Sequence, residues 1–318
     1  MWRVFENYMA IMVYVITFRR SLMANSRSFL AILFCFFVLT EGHMLYAQNK
    51  HAFLIGVSAY PQIGNKPWNN IHGSNDVDML SKTLKAQSFR ITSLKNEAAT
   101  AAGIRKGLKA FSNTCKPGDI VYIHFSCHGQ PFEDYDGDES DGWDEALVPF
   151  DALKEYRQGK YTGENHITDD ELNRYLKTIR NRVGPNGIVY VVIDACHAGS
   201  SYRGEEDADS VIIRGTDKGF SKTNKQYAPR IDKRGKIKVE ASAQMANICI
   251  LEACRSYQVN SEIRKDGKYY GSLSYYVNEV LKSSRLINDA SWTEKVRQLM
   301  DKDIRLVRQN LVIETSLQ

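Results

Sequence analysis

A histidine and a cysteine stand just beyond the ends of two apolar segments. The run 120–125 leads to His128, and the run 188–193 leads to Cys196. A cysteine thiolate is a strong nucleophile, and a histidine within hydrogen-bond reach can generate it. The reaction class that follows is acyl transfer from an amide or an ester. The backbone amides of Gly129 and Cys196 are candidate donors to the oxyanion of that reaction.

Each of these residues has a structural alternative. Free cysteines are among the most buried residue types, so Cys196 could be an inert core residue. Its position at a strand end beside Asp194, rather than inside the apolar run, favours the nucleophile. His197 is adjacent to the thiol and is expected to face away from it, which leaves His128 as the base. A structural role is the expectation for His124 in the same strand.

The elements that position these residues alternate between strand and helix. Apolar runs predict buried strands at 51–58, 91–94, 119–126, 187–194 and 247–254. Helical periodicity predicts helices at 76–85, 100–111, 168–183, 270–281 and 292–309. Ligands bind beyond the carboxyl ends of parallel strands, so the histidine and the cysteine would meet at one sheet edge.

A capping box opens the helix between the two reactive segments. Thr168 is expected to accept a bond from the third residue of the helix, Glu171, and the Glu171 side chain to bond the backbone amide of Thr168 in return. The sequence 184–187 ends that helix with two glycines and a proline. We therefore predict one βαβ unit with parallel strands.

The first 47 residues differ from the rest of the chain. Three arginines precede the apolar run 29–39, and Ala47 supplies a small residue after it, a pattern typical of a secretory signal peptide. The run is shorter than the about 20 residues of a membrane span. The alternative is a retained N-terminal anchor, because 1–16 is also apolar. We expect an exported protein, periplasmic or secreted, with one domain at 48–318 and no other membrane contact.

Composition limits the possible partners and the redox chemistry. The chain has 318 residues, 43% of them hydrophobic and 25% charged, which is ordinary for a globular protein. Its net charge of +5 is too slight to imply nucleic acid. Five cysteines follow the N-terminal segment, an odd and sparse set that argues against a disulfide framework and leaves a free thiol.

Several motifs together resemble the caspase and metacaspase clan of cysteine peptidases. The segment 194–199 around the cysteine and the His128-Gly129 pair carry the first part of the resemblance. The acid-rich segment 133–145, followed by 147–151, resembles a metacaspase loop that animal caspases lack. The segment 73–76 matches a further metacaspase motif.

The resemblance covers about residues 51–281 and carries expectations for fold and site. It implies a caspase-like α/β fold, a three-layer sandwich with a mostly parallel central sheet flanked by helices. It also implies a dyad, with His128 as general acid and base and Cys196 as nucleophile.

The resemblance further implies an acidic primary pocket that takes Arg or Lys. The matching residues are Asp76 and Asp194, with Ser126 nearby. Charge-assisted hydrogen bonds in a desolvated pocket discriminate strongly between side chains, so cleavage after Asp is disfavoured. The structural alternatives are a turn cap for Asp194 and a first-turn helix acid for Asp76.

Calcium is the one cofactor that the resemblance suggests, as an activator; the chemistry itself requires none. Eight acids and no base lie in 133–145, and a cation or solvent must relieve their repulsion. The positions that match the family's calcium ligands are Asp144, Asp169 and Asp170. Arg203 stands where a further acidic ligand is expected, and Asp169 and Asp170 also suit a helix N-terminus.

The segment 203–239 is dense in charge, with ten basic and six acidic residues, and we interpret it as a solvated loop. In caspase relatives the linker cut during maturation lies at this place. The candidate self-cleavage sites are Lys222, Lys225, Arg230, Lys233 and Arg234. The alternative is a plain solvated insertion.

The sequence thus predicts an exported cysteine endopeptidase whose substrates are proteins or peptides with Arg or Lys at the cleavage site. One rival is a non-catalytic scaffold or binding protein, against which the presence of His128 and Cys196 argues. A second rival is a metal-dependent hydrolase centred on the acid-rich segment. The lack of histidines near that segment argues against it.

Overall fold

The computed structural model describes residues 48–64, 66–137, 139, 141–197, 211–228, 231, 236–239 and 241–317. The predicted signal peptide and Arg203 lie outside these residues, as do Arg230, Lys233 and Arg234. Within the described part of the chain, no helix is long and apolar enough to cross a membrane.

Strands and helices alternate along most of the described chain. The strands are β1 (Lys50–Gly56), β2 (Arg90–Lys95), β3 (Ile120–Ser126), β4 (His128–Glu133), β5 (Trp143–Val148), β6 (Ile167–Thr168), β7 (Ile188–Asp194), β8 (Lys236–Lys238), β9 (Asn247–Glu252), β10 (Glu262–Lys265), β11 (Lys268–Gly271) and β12 (Val312–Thr315). The α-helices are α1 (Gly73–Ala86), α2 (Ala101–Thr114), α3 (Asp169–Val183), α4 (Ser272–Leu281) and α5 (Ser291–Lys302).

The central sheet has the strand order β2-β1-β3-β7-β9-β12-β8. Strands β1, β2, β3, β7 and β9 run parallel, and β12 runs antiparallel to β9. The predicted βαβ unit is confirmed, because β3 and β7 are parallel neighbours that α3 connects. Their register places Ser126 opposite Asp194 at the carboxyl ends.

Helices cover both faces of this sheet. Along β1, Phe53 and Ile55 belong to the core cluster that includes residues of α2 and α3, whereas Ala52 and Leu54 belong to the cluster that includes residues of α1, α4 and α5. Successive side chains of a strand point to opposite faces, so a strand buried on both faces has a continuous apolar sequence. The predicted three-layer α/β sandwich with a mostly parallel sheet is therefore confirmed.

The capping box of α3 is only half formed. The Thr168 hydroxyl accepts a hydrogen bond from the Glu171 amide, as predicted. The Glu171 carboxylate does not return to the cap, because the Arg105 guanidinium of α2 binds both of its oxygens at 2.7 and 2.8 Å. Two parallel bonds between a guanidinium and a carboxylate are stronger than one bond from a backbone amide to that carboxylate, so the contact between helices replaces the local one.

Three sequence-based predictions were wrong for part of the residues that they covered. The helix predicted at 292–309 ends at Lys302, and the chain then forms β12, which pairs with β9. The acid-rich segment is not all loop, because β4 and β5 form an antiparallel sheet with β6. Part of the charged segment 203–239 is buried rather than solvated, as described below.

Candidate active site

The reactive residues lie beyond the carboxyl ends of β3 and β7. His128 begins β4, and Cys196 follows β7 by two residues. Because the two parallel strands end side by side, both residues occupy one edge of the central sheet. The structure thus places the predicted dyad where the sequence predicted it.

The surroundings of His128 set the state of its ring. Its Nε2 lies 2.8 Å from the Asn69 carbonyl oxygen, which only accepts, so Nε2 carries the hydrogen of a neutral ring. Its Nδ1 has no hydrogen-bond partner. Burial between the rings of Trp68 and Tyr60 lowers the pKa of His128 to about 3. A neutral imidazole with a free Nδ1 is suited to take a proton.

The thiol of Cys196 contacts a carbonyl oxygen and a second thiol. It donates to the Gln258 carbonyl oxygen at 2.9 Å, and the Cys254 thiol donates to its sulfur at 3.2 Å. In the bond to Gln258 the thiol hydrogen points at the carbonyl oxygen, so proton transfer to His128 requires that hydrogen to turn away from Gln258. Of the other histidines, His197 bonds the Ala146 backbone through its ring, and its Nε2 has no hydrogen-bond partner.

His124 has the structural role expected of it. The ring is fully buried, with one nitrogen 3.0 Å from the Ser274 hydroxyl and the other 3.2 Å from the Tyr122 hydroxyl. Burial lowers the pKa of His124 to about 4. A neutral ring with both nitrogens bonded has no free electron pair for catalysis.

The two predicted oxyanion donors point at a carbonyl of the chain itself. The Cys196 amide donates to the Arg214 carbonyl oxygen at 2.9 Å, and the Gly129 amide donates to the same oxygen at 3.3 Å. The backbones at Gly129 and Gly215 approach Cys196 so closely that a Cβ on either would lie 2.5 Å or less from its carbonyl oxygen. Glycine is therefore required at both positions.

The Arg214 side chain fills the predicted acidic pocket and has no exposed surface. Its Nη2 donates to Asp76 at 2.7 Å and to Glu262 at 2.8 Å. Its Nη1 donates to the Ser126 hydroxyl at 2.6 Å. The Asp194 carboxylate lies 3.7 Å from Nη1. The structure thus brings all three predicted pocket residues together around one guanidinium.

The charges of this pocket are unequal. Burial tends to raise the pKa of Asp194, but Arg214 and the hydrogen bonds from Ser274 and Asn260 outweigh burial and hold it below its usual value. Burial raises the pKa of Asp76 to about 7, even beside Arg214. With Glu262, three carboxylates face a single guanidinium. Such a pocket needs a cation, because buried unpaired charges are costly.

We call residues 211–220 the cleft segment. The interpretation of 203–239 as solvated was wrong for most of this segment, although Val211, Asp217 and Lys218 are exposed. Arg214 and Phe220 are fully buried, and bridges join the segment to Cys196, Ser261 and Phe132. The apolar residues 211–213 directly before Arg214 were the signal that sequence reasoning missed. Lys222 and Lys225, by contrast, are exposed.

The predicted calcium ligands form part of an acidic cluster. The Asp169 carboxylate accepts the Glu145 amide at 3.3 Å, and an oxygen of Asp144 is buried without a hydrogen-bond partner. Burial and the neighbouring acids raise the pKa of Asp144 to about 7 and that of Asp169 to about 6. The orphan oxygen and the repulsion fit a cation. Within the described residues, however, no three His, Cys, Asp or Glu side chains are arranged to hold one.

The fold and the site together define a class, that of α/β proteins with caspase-like layers and a cysteine and a histidine at the sheet edge. The Caspase domain family matches residues 49–310. The chain belongs to this family of cysteine peptidases, within the caspase and metacaspase clan.

Comparisons with individual proteins agree with this assignment. The chain is 35% identical to Metacaspase-1A of Aspergillus oryzae over 32% of its own length, and 32% identical to Metacaspase-2 of Arabidopsis thaliana over 48%. These alignments span only 22% and 35% of the two relatives. A crystal structure of a Geobacter sulfurreducens protein matches 84% of the chain and 93% of its own, with a TM-score of 0.57 and 19% identity, which supports the fold.

The contact between Gly129 and Cys196 allows a test of the oxyanion donors. In Gly129→Ala, the new Cβ would lie 2.5 Å from the Cys196 carbonyl oxygen, so the two amides must move apart. Loss of one oxyanion donor costs about 10²- to 10³-fold in kcat. We expect a fall of that size in steady-state hydrolysis of a peptide reporter, measured well below the melting temperature of the variant. A variant that retains kcat within about threefold would contradict the assignment.

Proposed function

We propose that this protein is an endopeptidase that hydrolyses peptide bonds after Arg or Lys. The observation that carries the proposal is the position of Arg214. Its side chain lies in the acidic pocket while its carbonyl oxygen accepts from the Cys196 and Gly129 amides. A substrate residue on the acyl side of a scissile bond requires these same two contacts, so the segment serves as an internal template for the substrate.

The reaction follows from the groups around that carbonyl. His128 Nδ1 takes the proton of Cys196, and the thiolate attacks the carbonyl carbon while the two amides stabilise the oxyanion. His128 then gives the proton to the departing amine nitrogen. Water hydrolyses the thioester, which releases the new carboxylate and restores the thiol. The Asn69 carbonyl holds the ring in the required tautomer throughout.

The pocket determines which residue precedes the cleaved bond. Asp76, Asp194 and Glu262 offer carboxylate oxygens to a guanidinium, and a shorter ammonium keeps the charge but not the forked geometry. An aspartate would add a fourth carboxylate to a buried acidic site. We therefore expect kcat/KM to be highest for arginine before the cleaved bond, lower for lysine and lowest for aspartate.

A panel of reporters tests this order. Peptides that differ only in the residue before the leaving group, namely Arg, Lys, Ala or Asp, are hydrolysed by the full chain and compared by kcat/KM. We expect Arg to exceed Ala by about 10²-fold or more, since a charged hydrogen-bonding pocket discriminates more strongly than an apolar one. Preferential hydrolysis of the Asp reporter would refute the proposal.

We propose in addition that calcium stimulates the activity. The support is the acidic cluster of Asp144, Asp169 and Asp170. Their side chains would have to turn toward one point to hold the ion, which would neutralise their mutual repulsion. Asp134 is not one of the proposed ligands, because its carboxylate already accepts hydrogen bonds from the amides of 136, 137 and 139.

Calcium binding is measurable without activity. At a concentration 100 times the dissociation constant, a bound ion adds about 2.7 kcal/mol of stability, which corresponds to a rise in Tm of about 5 °C or more. We expect calcium to raise the Tm of the wild-type chain and of Asp119→Asn, and not that of Asp144→Asn. Equal shifts in all three chains would contradict a site at Asp144.

Export remains a separate proposal. The basic flank, the apolar run 29–39 and Ala47 support a cleaved signal peptide and a periplasmic or secreted mature chain. Mass spectrometry of the protein from an extracellular or periplasmic fraction is expected to find an N-terminus near Gln48. An intact N-terminus in that fraction would favour the anchor instead.

A further inference from the structure

The cleft segment occupies the site as a substrate would, and it belongs to the same chain. Ile213 bridges Ser261 on one side of Arg214, and Gly215 bridges Cys196 on the other. The segment is therefore fixed on both sides of one peptide bond. Lys222 is exposed, and its backbone amide donates to the Glu133 carboxylate. The Lys225 ammonium donates to the Asp141 and Gly142 carbonyls, so neither lysine enters the pocket.

We propose that the Arg214–Gly215 bond is the self-cleavage site, and that the cleft segment excludes other substrates until this bond is cut. The inference rests on the proposed function and deepens it by naming its first substrate. Other substrates are excluded from the site because Arg214 fills the pocket and its carbonyl oxygen accepts from both oxyanion donors.

The cut follows the same chemistry as external hydrolysis. The thiol turns from the Gln258 carbonyl, passes its proton to His128 and attacks the Arg214 carbonyl carbon. The bond to the Gly215 nitrogen breaks as that nitrogen receives the proton. One water molecule then hydrolyses the thioester, leaving a carboxylate on Arg214 and an amino group on Gly215. The new carboxylate carries a charge into an acidic site, which favours release of the cut end.

A set of variants of the full chain tests the bond. Wild type, Cys196→Ala, Arg214→Lys, Arg214→Gln and the matched control Lys222→Gln are incubated after purification, and new termini are mapped by mass spectrometry. We expect a C-terminus at Arg214 and an N-terminus at Gly215 in wild type and Lys222→Gln, and slower appearance in Arg214→Lys. Cleavage there should fall by about 10²-fold or more in Arg214→Gln and be absent in Cys196→Ala.

Reporter hydrolysis followed during the same incubation distinguishes self-cleavage after Arg214 from the proposed hydrolysis of other substrates after Arg or Lys. Wild type is expected to show a lag that ends as the bond is cut. Arg214→Gln is expected to show no lag, because glutamine cannot pair with the pocket carboxylates and leaves it open. If the wild-type chain hydrolyses the Arg reporter with no lag, or with no cut after Arg214, this inference is overturned and the proposed function is not. No Arg-reporter hydrolysis by any variant would overturn the proposed function with it.

The dependence of the cleavage rate on protein concentration shows whether a chain cuts its own bond or that of another copy. A bond held within its own site reacts in a first-order process, at a rate independent of dilution. We expect the same half-time over a tenfold range of concentration and no cutting of a tagged Cys196→Ala chain by added wild type. A half-time that lengthens on dilution would overturn self-cleavage within one chain.

A separate observation concerns the thiol of Cys254. Its hydrogen bond to the Cys196 sulfur spans 3.2 Å, and the two residues form a small buried cluster of their own. Cys115, by comparison, donates to the backbone of its own helix. A second thiol in contact with a nucleophilic one is placed to react with its oxidised form.

We infer that Cys254 protects Cys196 from peroxide by forming a disulfide with it. Hydrogen peroxide oxidises the Cys196 thiolate to a sulfenic acid and is reduced to hydroxide. The Cys254 thiol then condenses with the sulfenic acid, forming the S–S bond and releasing water. A reducing thiol reverses the step and restores the nucleophile.

Peroxide treatment of three chains tests this role. In wild type and the control Cys115→Ser, we expect a peptide that links Cys196 to Cys254, and recovery of reporter hydrolysis on reduction. In Cys254→Ser, we expect sulfinic acid at Cys196 and no recovery. Absence of the linked peptide, or equal recovery in all three chains, would overturn the inference. The linked peptide is detected by mass, so its absence is distinct from a lack of peptidase activity.

Discussion

Replacing Cys196 by alanine is expected to lower the hydrolysis of an arginine reporter by about 10⁴-fold or more, because the variant has no atom that can form the acyl intermediate. The backbone amide of residue 196 remains, so the residual rate measures what the oxyanion donors contribute without a nucleophile. The buried side chain is small, and the strand β7 that positions it is unchanged.

The matched control is Cys115→Ala, which removes a buried thiol at the C-terminal end of α2. Its sulfur donates to the Phe111 carbonyl oxygen. We expect this variant to retain activity within about threefold after correction for stability. Equal activity of Cys196→Ala and wild type would exclude the dyad, and equal losses in both variants would point to unfolding.

Replacing Asp76 by asparagine is expected to lower the preference for arginine over alanine by about 10²- to 10³-fold. Asp76 binds the guanidinium directly at 2.7 Å with neither side chain exposed. Removal of one partner from a buried ion pair costs about 3–5 kcal/mol, which converts to a change of that order in kcat/KM. The asparagine oxygen can still accept the Gly271 amide, so the local fold is retained.

The ratio of kcat/KM for the Arg and Ala reporters is the appropriate measurement, because it does not depend on the fraction of active protein. Hydrolysis of the Ala reporter should change little, since alanine does not reach the carboxylates. The exposed acid Asp78, two residues away on α1, provides the control Asp78→Asn. An unchanged ratio in Asp76→Asn would show that the arginine of a substrate binds elsewhere.

The sheet and the positions of His128 and Cys196 at its edge could be predicted because their signals are local. A parallel strand covered on both faces must be apolar throughout, and 120–125 and 188–193 satisfy that condition. The parallel register then places Ser126 beside Asp194 and brings two pocket residues together. Chemistry at the ends of such strands follows from topology alone.

Arg214 could not be predicted in the same way. A basic residue in a charged segment is normally solvated, and its burial here depends on carboxylates from three separate elements of the fold. Glu262 was missed for the same reason, since nothing in its own sequence marks it as part of the pocket. The strand β12 was also missed, because the four residues Val312–Thr315 give little local signal and their conformation depends on pairing with β9.

The most direct test of the central claim is covalent labelling by two matched probes. Peptidyl acyloxymethyl ketones that end in arginine or in aspartate are added to two samples of the full chain, one freshly purified and one left long enough to cleave itself. The adducts are then mapped by mass spectrometry. We predict an arginine-probe adduct on Cys196 that grows as the Arg214–Gly215 bond is cut, and little adduct from the aspartate probe. Labelling of a different residue, or preferential labelling by the aspartate probe, would contradict a peptidase that acts through Cys196 after basic residues.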